Sequence, residues 1–159
     1  MPSASLVAGL ALLAGCASSH VTEDKRDAPL ARQVTQSAHC GLTGPGLAYV
    51  QTAERLQQML DLPTQNMAVQ QLRQVDLAKE HLLFVTLGER PTSGYSLSLS
   101  SAQSTTSTLQ LAVAMRSPAP GTMTAQVITS PCVVVAVPAS DWSEIRVSGV
   151  RDKDLILKP

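Results

Sequence analysis

An α+β domain is the fold the sequence predicts: a mostly antiparallel β-sheet or small β-sandwich with two short N-terminal helices packed on it. Three observations carry this. The apolar runs Leu82–Leu87, broken only by Thr86, and Val133–Val137 have the length and composition of strands covered on both faces. The runs Tyr95–Leu99 and Leu109–Met115 alternate apolar with polar or small residues, as strands with one buried face do. In the first half, Leu56, Met59 and Leu60, then Met67, Val69 and Leu72, recur at helical spacing.

Taken in order, Gln33–Cys40 mixes Val, Thr and Gln and reads as a first edge strand. Gly41, Gly44, Pro45 and Gly46 mark a loop. It lacks the Gly-Lys-Ser/Thr of a phosphate-binding loop, so a nucleotide site is set aside. Leu47–Val50 is a short strand. Thr52 is placed to cap a helix whose first turn holds Glu54 and which Pro63 stops, and Asn66 is placed to cap the second helix. Gly88 to Gly94, with Pro91 between them, is punctuated as a turn, so His81–Ser100 is expected to form one β-hairpin. Ser101–Thr108 is expected to be a solvated turn joining a second hairpin, and Arg116–Gly121 a loop. Thr124–Thr129 and Cys132–Val137 are expected as strand segments interrupted by Ser130 and Pro131. Asp141 and Glu144 around Trp142 have the spacing of a one-turn helix cap. Ile145–Val147 and Leu155–Leu157 are the last strands.

The chain of 159 residues carries 12 basic and 12 acidic side chains. That balance points to neither a nucleic-acid partner nor a strongly acidic one. Residues 1–15 bear no charged side chain and hold an apolar stretch too short to span a membrane as a mature helix, as in a secretory signal. The stretch ends Leu13-Ala14-Gly15-Cys16, which resembles the lipobox of bacterial lipoproteins. The resemblance implies cleavage before Cys16, acylation there and a lipid anchor in the membrane. No Lys or Arg precedes the apolar run, which departs from the lipobox pattern. Ala17, where an aspartate would signal retention, favours the outer membrane with the domain on its periplasmic or outer surface. Residues 16–32 are polar and aperiodic and read as a tether, leaving 33–159 as a single globular domain. Cys40 and Cys132 remain. In an oxidising compartment an even pair reads as a disulfide, the alternative being two buried thiols.

Catalytic signatures are missing. His20, His39 and His81 are not spaced for a metal, and Ser93 has no general base near it in sequence. No GxSxG elbow occurs, and Glu23-Asp24 and Asp152/Asp154 read as solvated charge. The expectation is a protein that is not an enzyme, with no cofactor, no metal and no small-molecule substrate. Pro91, Thr92, Ser93, Gly94 and Tyr95 are then the one stretch that reads as a presented recognition loop. The same residues equally suit a turn chosen for its backbone angles.

Leu82–Val137 resembles the C-terminal domain of the PrcB family. The features are the apolar strand, Gly88 followed by Pro91-Thr92-Ser93-Gly94-Tyr95, the alternating strands, Pro118-Ala119-Pro120-Gly121, and Pro131 leading into Val133–Val137. The family is named for a lipoprotein that assists a protease complex. The resemblance implies binding and stabilising another envelope protein, a protease complex among the candidates, without catalysis. Pro91–Tyr95 also resembles the NPTTGY-type loop of chagasin-like cysteine-protease inhibitors, with Arg90 for the Asn and Ser93 for the second Thr. That resemblance implies protease inhibition as the alternative function, and a passive envelope-structural lipoprotein is the third.

Overall fold

The computed structural model describes residues 29–159. The expected signal sequence, Cys16 and nearly all of the tether lie outside the described residues. Leu30 and Ala31, at the end of the expected tether, already pack into the core, and Arg32 begins the first strand.

Among the described residues, eight strands form two sheets. The first has the order β1 (Arg32–Ser37), β6 (Cys132–Pro138), β3 (Glu80–Leu87), β2 (Pro45–Val50), antiparallel throughout. The second has the order β4 (Ser96–Ser104), β5 (Thr108–Arg116), β7 (Glu144–Ser148), β8 (Leu155–Leu157). Its β5–β7 pair is parallel. Two small helices, α1 (Ala53–Leu60) and α2 (Val69–Arg73), follow β2, so they sit between strands rather than ahead of the sheet.

β3 and β6 lie at the centre of the first sheet, which explains their unbroken apolar sequences. Leu83, Val85 and Leu87 of β3, with Val133, Val135 and Val137 of β6, face the second sheet. They meet Leu97, Leu109, Leu111, Val113, Ile145 and Val147 there in one apolar cluster. The alternate residues Leu82, Phe84, Val134 and Ala136 face the other way. There they meet Leu56, Met59, Leu60 and Leu72 from the helices. All eight of the β3 and β6 residues from Leu82 to Val85 and Val133 to Ala136 are fully buried, as two-sided cover requires. Each buried large side chain of this kind stabilises the fold by about 1.5–3 kcal/mol.

Several local expectations are met. Thr52 caps α1, its hydroxyl accepting from the Arg55 amide at 3.2 Å. The alternating runs pair as a hairpin, β4 with β5, with Leu97 buried and Tyr95 and Leu99 packed on the core. Cys40 and Cys132 are joined by a disulfide, their Cα atoms 6.0 Å apart.

Others are corrected. His81–Ser100 is not a hairpin: β3 pairs with β2 and β6, whereas β4 pairs with β5 in the other sheet. Residues 88–95 are thus a crossover between sheets. At its start Gly88 takes φ +75°, and a Cβ there would lie 2.8 Å from the Pro45 nitrogen, so the chain leaves β3 in a path only glycine allows. β4 runs on to Ser104 through a register shift near Ser100, so only residues 105–107 turn. Thr124–Ile128 forms no strand, and Thr129 makes an isolated bridge to Arg90. Asn66 does not cap α2. Its amide donates to the His39 carbonyl at 2.7 Å, its carbonyl accepts from the Ser37 hydroxyl at 2.8 Å, and Ala68 holds the cap position. Residues 139–143 form no helical turn, and Trp142 instead donates its indole N–H to the Pro138 carbonyl at 3.1 Å.

The edges of the sheets are blunted. Gln33 on edge strand β1 offers its side-chain oxygen to the Leu99 amide of edge strand β4 at 2.9 Å, and the ladders of both strands shift register beside these residues. An edge amide that would otherwise invite another strand is thereby occupied.

Tyr49 and His81, diagonal neighbours on β2 and β3, form a polar pair at the core margin. The Tyr49 hydroxyl lies 2.7 Å from His81 Nδ1, with the rings edge-on at 5.3 Å. Burial pushes the Tyr49 hydroxyl up to about 12 and holds His81 below the ordinary histidine value. Both groups are therefore neutral at pH 7, and in the Nε2–H tautomer the phenol donates to Nδ1. For His81, whose folded value is lowered, the stabilisation is complete above the unfolded value of about 6.5 and is lost as pH falls through the folded value. For Tyr49, whose folded value is raised, it is complete below about 10 and is lost as pH rises through about 12. NMR titration should place the His81 midpoint below 6.5. A midpoint at or above that value would contradict the desolvated pair.

Candidate functional site

Strand direction gathers the long loops at one end of the molecule. β3 runs from Glu80 to Leu87, β6 runs opposite, and β1 opposite to β6. Arg32 and Pro138 therefore lie at the Glu80 end of the sheet, whereas Ser37, Cys132 and Leu87 lie at the other. The segments 38–44, 88–95 and 117–131 all leave strands at that second end. At the Glu80 end an exposed bidentate pair, Arg32 with Glu80 at 3.0 and 2.6 Å, reaches across β6.

The disulfide stands beneath this loop end. The Cys40 amide donates to the Ser130 carbonyl and hydroxyl, both at 3.0 Å. The Gly41 amide donates to the same hydroxyl at 3.1 Å, and the Ser130 amide to the Ala38 carbonyl at 2.8 Å. Segment 38–41 and segment 129–132 are thus fastened by a covalent bond and four hydrogen bonds around one serine.

From that base, residues 122–129 run along the crossover. Arg90 and Thr129 exchange two backbone hydrogen bonds at 2.8 and 2.9 Å. The Thr129 hydroxyl donates to the Thr92 carbonyl at 3.0 Å. Ser93 bonds Ala125 twice, through its amide to the carbonyl and through its hydroxyl from the amide, each at 3.1 Å. Gly94 takes φ +96° with Pro118 against it, since a Cβ would lie 2.9 Å from the Pro118 ring. The Arg90 guanidinium lies over the Tyr95 ring, 5.8 Å from its centroid, as a cation–π contact.

Of the five residues singled out from the sequence, Pro91 and Gly94 are exposed and Thr92, Ser93 and Tyr95 are half-buried. The Thr92 carbonyl and the Ser93 amide and hydroxyl are spent on holding the neighbouring segment, and Tyr95 on the core. The loop is a braced wall. Between residues 93–96 and 116–124 it encloses an open groove of about 550 Å³. Met123 of the opposite wall, and Val127 and Ile128 further along the same segment outside the groove lining, escape the sequence reading. Met123 is 98 % exposed and Ile128 69 % exposed, and Val127 is exposed beside them. The sequence does hold a signal for them: an apolar, β-type stretch between two proline- and glycine-rich loops with no strand left to pair with it.

Among the described residues, no group of three or more His, Cys, Asp or Glu side chains comes together. No described helix is long and apolar enough to cross a membrane.

No curated protein and no solved structure matches the chain. One family model does, described as PrcB C-terminal, and it matches residues 82–138. The matched stretch runs from β3 through the crossover, β4, β5 and the 117–131 segment to the end of β6, so it contains both walls of the groove. It coincides within one residue with the resemblance read from the sequence, and residues 82–138 of this chain are similar to the PrcB C-terminal family.

Proposed function

We propose that the protein is an outer-membrane-anchored lipoprotein whose domain binds and stabilises another envelope protein, a protease complex first among the candidates, without catalysing a reaction itself. The observation that carries this reading is the PrcB C-terminal match, which spans the crossover and the 117–131 segment at the loop end. The Leu13-Ala14-Gly15-Cys16 string supplies the anchor. Strand direction agrees with it. Arg32, where the chain enters the domain, and the braced groove lie at opposite ends of the first sheet. A tether running from Cys16 to Arg32 would then leave the groove facing away from the lipid and open to a partner.

The test is in-cell crosslinking followed by mild detergent extraction. One envelope protein should be recovered with the chain, and its abundance should fall when the chain is deleted or when Cys16→Ala releases it from the membrane. Recovery of the chain alone would sink the reading. Inhibition of a papain-like protease, lost on replacing Thr92 and Tyr95, would instead establish the chagasin-like alternative.

A further inference from the structure

The groove has a chemistry more specific than its depth. Apart from Tyr95, Arg116 is the one ionisable residue lining it, and Ser93, Ser96, Ser117, Thr122 and Thr124 are the other polar residues around it. No carboxylate lines it, and Glu89, next to Arg90 in sequence, is not among the lining residues. Elsewhere the arginines of the strands are neutralised: Arg32 pairs with Glu80, and Arg146 with Glu144 and Asp154. Among the described residues Arg116 forms no ion pair. Arg90, beside the groove over Tyr95, bonds only the Glu89 carbonyl with its side chain. The net charge of the chain is balanced, but this rim is cationic.

The second wall is only partly hydrogen-bonded. Residues 122–129 are tied to the crossover through Ala125 and Thr129, whereas the amides of Gln126, Val127 and Ile128 have no hydrogen-bond partner among the described residues. Exposed Met123 lines the groove, and exposed Val127 and Ile128 continue along the same segment beyond it. Free amides beside apolar side chains suit an incoming strand, which uses main-chain bonds for affinity and alternate side chains for specificity.

Building on the partner-binding reading above, we propose that this groove docks an extended acidic peptide segment of the partner. One or more of the segment's carboxylates meet Arg116 and Arg90, and its apolar side chains rest on Met123, Val127 and Ile128. The charge complementarity commits the occupant. A basic segment would meet two uncompensated guanidiniums, and a purely apolar one would leave both unpaired while covering the polar residues of the groove.

The test titrates the full chain into a fluorescein-labelled, N-acetylated hexapeptide of alternating valine and glutamate, read by anisotropy. Its valine–glutamine counterpart serves as the second probe. Saturable binding of the glutamate peptide is expected with Kd on the order of 100 µM. It should weaken about tenfold for the glutamine peptide and about tenfold again for Arg116→Gln, the size of one charge-assisted hydrogen bond. Arg55→Gln on α1, in a different layer, should leave it unchanged. Circular dichroism melting of Arg116→Gln should match that of the unmodified chain, because the side chain is exposed at the end of β5. Equal binding of the two peptides, an equal loss from Arg55→Gln, or no saturation by about 1 mM would each overturn the proposal. If these fail while the envelope partner is still captured, the groove is wrong and the binding role stands. If the peptide binds and no partner is captured, the reverse holds.

Discussion

Replacing Cys40 and Cys132 together by alanine is expected to cost about 4 kcal/mol of folding stability, among the largest effects available in this chain. The bond closes a loop of 92 residues in sequence. Cross-linking a loop near that length removes chain entropy from the unfolded state equivalent to about 4–5 kcal/mol at 25 °C. The folded state should change little, because the bridge has company. The Cys40 and Gly41 amides still meet Ser130, and the Asn66 amide still meets the His39 carbonyl. Urea denaturation should therefore show a lower midpoint with the native fold intact below it, and reducing the unmodified chain should give most of the same loss. Local effects should concentrate in β1. It is an edge strand whose far end is covalently held to the start of β6 only through this bond. Amide exchange in Gln33–Ser37 should accelerate more than exchange in β3. A double variant within about 1 kcal/mol of the parent would show that the loop closure contributes little and that hydrogen bonding around Ser130 holds the end by itself.

The Cys40–Cys132 pairing is legible in the sequence because, of three cysteines, Cys16 is set aside by its lipobox context and one pair is left. The two central strands are legible too. A sequence apolar at every position from Leu82 to Val85 needs cover on both faces, and the two sheets and the helices supply it. Which strands pair is not legible. Pro91 and Gly94 mark a change of direction, but they do not say whether the next strand returns alongside or crosses to another sheet. Here the answer depends on Gly88, which can turn against the Pro45 backbone, and on Pro118, which fills the space beside Gly94. Both partners are distant in sequence. The parallel β5–β7 pair depends likewise on a connection through β6 in the opposite sheet. The cap of α2 differs from its sequence reading because Asn66 is claimed by His39 and Ser37, next to the disulfide, before it can serve the helix. For the groove, the sequence marks the wall that carries turn chemistry. It hides the segment that carries the exposed apolar residues, because Thr124–Ile128 has strand-like composition and only the tertiary structure leaves it without a strand partner.

Gly149→Ala should be the most damaging single methyl group that can be added to this protein. Gly149 directly follows β7, where the parallel ladder with β5 ends at the Ala112–Ser148 pair, and its φ is +90°. A Cβ built there overlaps the carbonyl oxygen of Val113 and lies 3.1 Å from its carbonyl carbon. The obstacle is backbone of a central strand, so no rotamer change relieves it. Val113 and Val147 are buried in the core shared by the two sheets, so neither strand can retreat without opening that core. Two costs therefore add. An L-residue with a left-handed backbone costs about 1–2 kcal/mol, and forcing atoms into a packed core costs about 1–3 kcal/mol. Gly121→Ala separates them. Gly121 has φ +78° and nothing within 4 Å of its would-be Cβ, so it should show the backbone cost alone. The expected drop in Tm is on the order of 10 °C for Gly149→Ala and about a third of that for Gly121→Ala. Equal shifts for the two would mean that β5 yields at Val113, and that the second sheet is held there less firmly than its burial implies.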